Sequence, residues 1–143
     1  MTTFKELREQ PWMIRDAIHV RKRVLLAAIP LIAVLLFIWG NSVLSGIDSY
    51  KLTIAIFGEL SLEERFFVRN LAHFVEFFAL GFVMNLILRN PSIALFAGLA
   101  VAVIDEYIQL FSPGRTAELK DVLIDFIGVL VAVCLIQKRK TKG

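Results

Sequence analysis

Residues 91–104 read Pro-Ser-Ile-Ala-Leu-Phe-Ala-Gly-Leu-Ala-Val-Ala-Val-Ile, and the next two are Asp105 and Glu106. Fourteen residues pass without a charge, and two adjacent acids then close the run. An ionised side chain near the centre of a membrane helix costs roughly 2.5 to 3.5 kcal/mol on insertion scales. A pair of them at the end of such a segment therefore calls for a polar interior, and the default expectation is a functional site facing a helix bundle.

The rest of the 143-residue chain has the same character. It is 57% hydrophobic, with a mean hydropathy of +0.70, whereas a soluble domain is about 45–50% apolar. The apolar residues come in blocks that approach the roughly 20 needed to cross a bilayer. Four such blocks stand out, at about 24–40, 71–88, 92–111 and 122–137. Each must be helical, because backbone groups in lipid need partners within their own segment. Gly40-Asn41, Arg89-Asn90-Pro91 and Ser112-Pro113-Gly114 mark the breaks between them, since Gly and Pro stop helices. The expected fold is an all-α polytopic membrane bundle of four transmembrane helices. Residues 1–23 form a basic interfacial segment, 24–137 the membrane domain and 138–143 a basic tail.

Orientation follows from Lys and Arg. Eleven of the 16 fall in residues 1–23, at Arg89 and in the tail; the other five are Lys51, Arg65, Arg69, Arg115 and Lys120. The count predicts cytoplasmic N and C termini. No cleavable signal peptide is evident, so the first block reads as a retained anchor. Residues 3–20, interrupted by Pro11, suit the cytoplasmic interface, and the short run 52–57 suits the outer one. Ser61-Leu-Glu-Glu64 fits a capping box, placing a helix start at Ser61. Cys134, the sole cysteine, lies in an apolar block and is expected to be buried and inert. The basic ends suggest a membrane surface and not nucleic acid, because the interleaved aromatics of a single-strand binder are missing.

With this topology, three helices bring ionisable groups to one level near the outer leaflet. His73 and Glu76 are three apart, Asp105 and Gln109 four, Glu106 and Gln109 three, and Asp121 and Asp125 four; each pair shares a helical face. Arg115 sits in the loop between the last two blocks. Singly, each group has a bland reading: His73 as a packing residue, Asp121 as an acid favoured by a helix N-terminus. Jointly, they point to a site. Its chemistry divides into three candidates. The first is an enzyme acting on a lipid headgroup, with His73 as base or nucleophile, Glu76, Asp105 or Glu106 orienting it or acting as the acid, and Gln109, Arg115, Asp121 and Asp125 holding substrate. The second is a divalent-cation site built from Asp105, Glu106, Asp121 and Asp125, although their spacing matches no established metal motif. The third is a non-catalytic protein that binds a cell-wall precursor, an antibiotic or a partner. A transporter fits less well, since the cytoplasmic halves are bare of polar groups apart from Asn85.

The string His73-Phe-x-Glu76-Phe-x-x-Leu80-Gly81, followed by Asp105-Glu106-x-x-Gln109-x-Phe111-x-Pro113-Gly114-Arg115 and Asp121, resembles the VanZ-like family. The match covers about residues 61–135. Two positions depart from its pattern: Asn70 stands where the family often has Lys, and Asp125 where it often has Asn. Both changes make the pocket more acidic. The resemblance implies a multi-pass protein of the bacterial cytoplasmic membrane, akin to an accessory protein of glycopeptide (teicoplanin) resistance. It also implies kinship with proposed membrane enzymes that act on lipid headgroups or lipid-linked envelope precursors, so membrane lipids are the expected partners. It specifies no cofactor.

Overall fold

A computed structural model describes residues 11–141, with side chains from Leu25 onward except those of Ala27 and Lys140. Five helices are present among the described residues: α1 (Pro11–Ser42), α2 (Gly46–Phe57), α3 (Leu62–Leu88), α4 (Pro91–Gln109) and α5 (Leu119–Thr141). The all-α expectation holds. Much of the basic N-terminal segment lies outside the described residues or is described in backbone alone.

Local chemistry sets most of the boundaries. At the start of α3 the Ser61 hydroxyl accepts from the Glu64 N–H, and the Glu64 carboxylate accepts from the Ser61 N–H. This is the expected reciprocal cap, which satisfies two otherwise orphaned donors. The helix then continues without a break through Asn70 to Leu88. Arg89 ends it in the left-handed region at φ 53°. Asn90 then caps α4 by accepting from the N–H groups of Ser92 and Ile93, and Pro91 follows at the first helical position, where its missing N–H costs nothing.

Two boundaries differ from expectation. Gly40-Asn41 does not end the first helix, which runs on to Ser42. The short apolar run 52–57 is the second half of a longer helix that starts at Gly46 and is capped by Ser45. Between Ala28–Ser42 and Gly46–Phe57 the chain bends by 111°.

The helices are arranged with polarity reversed relative to a soluble domain. Large apolar side chains such as Phe67, Phe96 and Phe111 stand more than 60% exposed on the outside. Meanwhile Asp105, Asp121 and Asp125 are each 1% exposed or less. An apolar exterior of this extent would be a severe aggregation hazard in water and is what lipid contact requires. By length and apolarity α3 and α4 can cross a membrane, and the bent α1–α2 pair counts as one further span or a re-entrant segment. In α5 the uncharged apolar stretch beyond Asp125 is short, because Lys138 and Arg139 follow.

Helix α5 packs against α3 through glycines. A Cβ on Gly128 would lie 2.6 Å from the Phe74 carbonyl oxygen, and one on Gly81 would lie 2.7 Å from the Val129 Cα. Close backbone approach at small residues is the usual way membrane helices gain packing energy. Here it brings the turn that carries His73 against the turn that carries Asp125. Cys134 is exposed on the outer side of α5, contrary to the expected burial. Asp125 and Cys134 are nine residues apart, or about 900° of helical rotation at 100° per residue, so they face opposite ways.

Candidate functional site

The polar groups converge at one end of the bundle, where α1, α3, α4 and α5 meet. From α3, His73 Nδ1 lies 3.0 Å from Asp125 Oδ1 of α5. Written with the ring nitrogen donating, this pair leaves His73 Nε2 with the lone pair. Asp125 is fully buried, and its second oxygen has no hydrogen-bond partner.

Asp105 of α4 is held from two sides. Gln109, one turn on, donates from Nε2 to Oδ2 at 2.8 Å. From α1, the Ser42 hydroxyl donates to Oδ1 at 2.5 Å. That hydroxyl also lies 3.1 Å from the Ile38 carbonyl, but it has one proton, and the shorter, charge-assisted contact takes it. Glu76 accepts from Asn41 Nδ2 at 2.7 Å. Glu106 Oε2 accepts from the Glu118 N–H at 2.7 Å, and its Oε1 is buried without a partner.

The Asp121 carboxylate accepts no hydrogen bond, and its nearest cation is Arg69, at 3.4 Å from Oδ2. Arg69 also lies 3.9 Å from Glu118, which Lys120 contacts at 2.5 Å. That Lys120 contact holds the Glu118 carboxyl below the usual carboxylate range. Arg65, Phe66, Arg69, Lys120, Glu118 and Leu62 together line an open groove of about 330 Å³. It carries three cations against one acid, and Arg69 is the residue that joins it to the buried acids.

Arg115 lies in the loop between α4 and α5. Its Nη2 donates to Ser49 of α2 at 2.6 Å. Partial burial lowers its pKa, and the nearby carboxylates of Asp105, Glu76 and Glu106 push it back up. The rest of the Pro-Gly-Arg loop also serves docking. The Pro113 carbonyl accepts from the Gly46 N–H at 2.9 Å, and the Ser112 hydroxyl donates to the Ser42 carbonyl at 2.6 Å. Gly114 sits at φ 75°, a conformation that favours glycine. The loop thereby fixes the sharp α1–α2 turn and, with it, the position of Ser42.

All eight residues singled out from sequence, His73, Glu76, Asp105, Glu106, Gln109, Arg115, Asp121 and Asp125, lie at this end of the bundle. Asn41, Ser42, Ser49, Arg65 and Arg69 were not among them. The first two follow Gly40 and look like part of a helix break. Arg65 and Arg69 enter the sequence argument only through the count of Lys and Arg, although Arg69 adjoins Asn70.

These features define a class: an all-α membrane helix bundle with a buried acidic cluster that includes His73. The chain matches the family described as VanZ/LLP1 over residues 2–138, and it belongs to that family. No curated protein and no solved structure matches it.

Proposed function

We propose that this end of the bundle binds and modifies an anionic lipid headgroup or a lipid-linked cell-envelope precursor. The observation that carries the reading is Arg69. It lines a three-cation groove open to the outside and at the same time lies 3.4 Å from buried Asp121, one turn of α5 from the His73–Asp125 pair. A phosphate in the groove meets Arg65, Arg69 and Lys120, while acyl chains follow the exposed apolar faces. The guanidinium of Arg69 suits a phosphate because it can donate two parallel hydrogen bonds.

The chemistry follows from His73. With Nδ1–H directed to Asp125, Nε2 takes a proton from water or from an acceptor hydroxyl as that oxygen attacks phosphorus. The phosphoester bond then breaks, and the leaving oxygen takes a proton from a carboxyl group, Glu76 or Glu106. Four spans, cytoplasmic termini and a site at the outer face of a bacterial cytoplasmic membrane complete the proposal, and an accessory role in glycopeptide (teicoplanin) resistance fits an activity on envelope precursors there.

The test is lipid mass spectrometry of cells with and without the protein, comparing wild type with His73→Ala at equal expression. A headgroup or precursor change that requires His73 is the expected result. Unchanged lipids and lipid-linked precursors would remove the enzymatic reading and leave a binding protein, which should tolerate His73→Ala and lose ligand on Arg69→Ala.

A further inference from the structure

We infer that His73, Asp105 and Asp125 bind a divalent transition-metal cation of the Mn²⁺ or Zn²⁺ type. One donor atom from each of the three lies within 4.8 Å of the other two, and all three residues are buried. Helical spacing alone suggests only the acids Asp105, Glu106, Asp121 and Asp125 as ligands. The structure instead combines one imidazole with two carboxylates from three different helices. Mixed nitrogen and oxygen donors of this kind suit Mn²⁺ or Zn²⁺ better than the all-oxygen cages that Ca²⁺ prefers.

The distances fit. Bonds of about 2.1 Å at right angles place neighbouring donor atoms about 3.0 Å apart. The His73 Nδ1 to Asp125 Oδ1 separation is 3.0 Å. Asp105 completes the set and is already oriented by two outer partners, the Ser42 hydroxyl and the Gln109 amide. Ligating carboxylates are commonly fixed in this way, and each Asp105 oxygen keeps a further lone pair for a metal.

Two independent observations also point to a cation. Asp125 is fully buried, and its Oδ2 is unpartnered. Charge is also unbalanced: Asp105, Glu106, Asp121 and Asp125 are buried together. The guanidinium groups near them are Arg69, 3.4 Å from Asp121, and Arg115, whose Nη2 is engaged by Ser49. Uncompensated buried carboxylates carry a large desolvation penalty, and a dication between two of them removes most of it.

The inference does not require the lipid reading, because the same side chains serve either as a proton-holding pair or as ligands. Metal content decides between the two. The full chain, purified in a non-ionic detergent and stripped with EDTA, is reconstituted separately with Mn²⁺ and with Zn²⁺. The expected result is one equivalent of one of these metals per chain. Asp105→Asn and Asp125→Asn should lose it, and the exposed-site control Asp48→Asn should retain it. Ser42→Ala removes no ligand, so it should fold and bind about 10-fold more weakly. Pulsed EPR on Mn²⁺-loaded wild type, or absorption of a Co²⁺-substituted sample if only Zn²⁺ binds, should report one coordinated imidazole nitrogen. Failure of both metals to bind stoichiometrically, retention of metal by the Asp variants, or no imidazole signal would each overturn the inference, whatever the lipid experiment shows.

Discussion

Replacing Gly128 with alanine tests the packing that creates the site. The new Cβ would lie 2.6 Å from the Phe74 carbonyl oxygen and 2.9 Å from the Phe78 nitrogen. The first contact is 0.8 Å short of the 3.4 Å at which ordinary van der Waals contact begins, and both partners are backbone atoms that cannot rotate away. Helices α3 and α5 must separate or slide. If the separation passes fully to the adjacent turn, the His73–Asp125 distance grows from 3.0 Å to about 3.8 Å, beyond hydrogen-bond range. Overpacking of this kind costs about 1–3 kcal/mol, and loss of a hydrogen bond to a charged group adds about 1.5–3 kcal/mol. In thermal unfolding of the detergent-solubilised chain, G128A should therefore melt several degrees lower. Histidine NMR should show that His73 has lost its hydrogen-bonded ring signal. Gly40→Ala is the control, because a Cβ there meets nothing within 4 Å and alanine favours the helix by about 0.5–1 kcal/mol. A G128A protein with wild-type melting and an unaltered His73 signal would refute the claim that glycine contact places the histidine.

Further outcomes follow from the same geometry. Ser42→Ala leaves Asp105 with one of its two hydrogen-bond donors and should destabilise the protein by about 1–3 kcal/mol, measured by thermal unfolding; Ser42→Thr should retain part of that. Gly114→Ala forces a non-glycine residue into a left-handed conformation at φ 75°, at a cost of about 1–2 kcal/mol, and protease sensitivity of the loop should rise. Arg115→Lys removes the planar donor group that reaches Ser49 and should impair function nearly as much as Arg115→Ala, whereas Ser49→Ala should be milder, as read by a complementation assay. A reporter fused after Gly114 should be accessible from outside the cell, and a cytoplasmic signal would overturn the orientation derived from Lys and Arg.

The apolar blocks, the Ser61 cap and the shared faces of His73 with Glu76 and of Asp105 with Gln109 were legible because helical spacing determines them. The contribution of α1 was not. Asn41 and Ser42 follow a glycine at the end of an apolar block, where small polar residues usually signal a turn, and only the α4–α5 loop docking on that turn makes them part of the site. The Pro113-Gly114-Arg115 string attracted a ligand-binding reading because of its arginine. Its backbone also braces the turn between α1 and α2, and long-range docking of that kind has no local spacing to reveal it. Cys134 was misplaced for a simpler reason. The C-terminal half of α5 is apolar all round, so hydrophobicity alone does not tell its inner face from its outer one. The phase set by Asp121 and Asp125 does.

The Ser42, His73, Asp105 and Asp125 side chains come from four helices, and the last of them belongs to α5, the last of the described helices. During synthesis the acids of α4 thus enter the membrane before α5 exists to shelter them. An α1–α4 intermediate carries His73 without its aspartate and Glu106 without the Glu118 amide. Insertion of α5 is then the step that closes the bundle. A chain without it leaves His73, Asp105 and Glu106 unsheltered on the side that α5 covers. The order in which the helices are made thus places completion of the site at the insertion of α5.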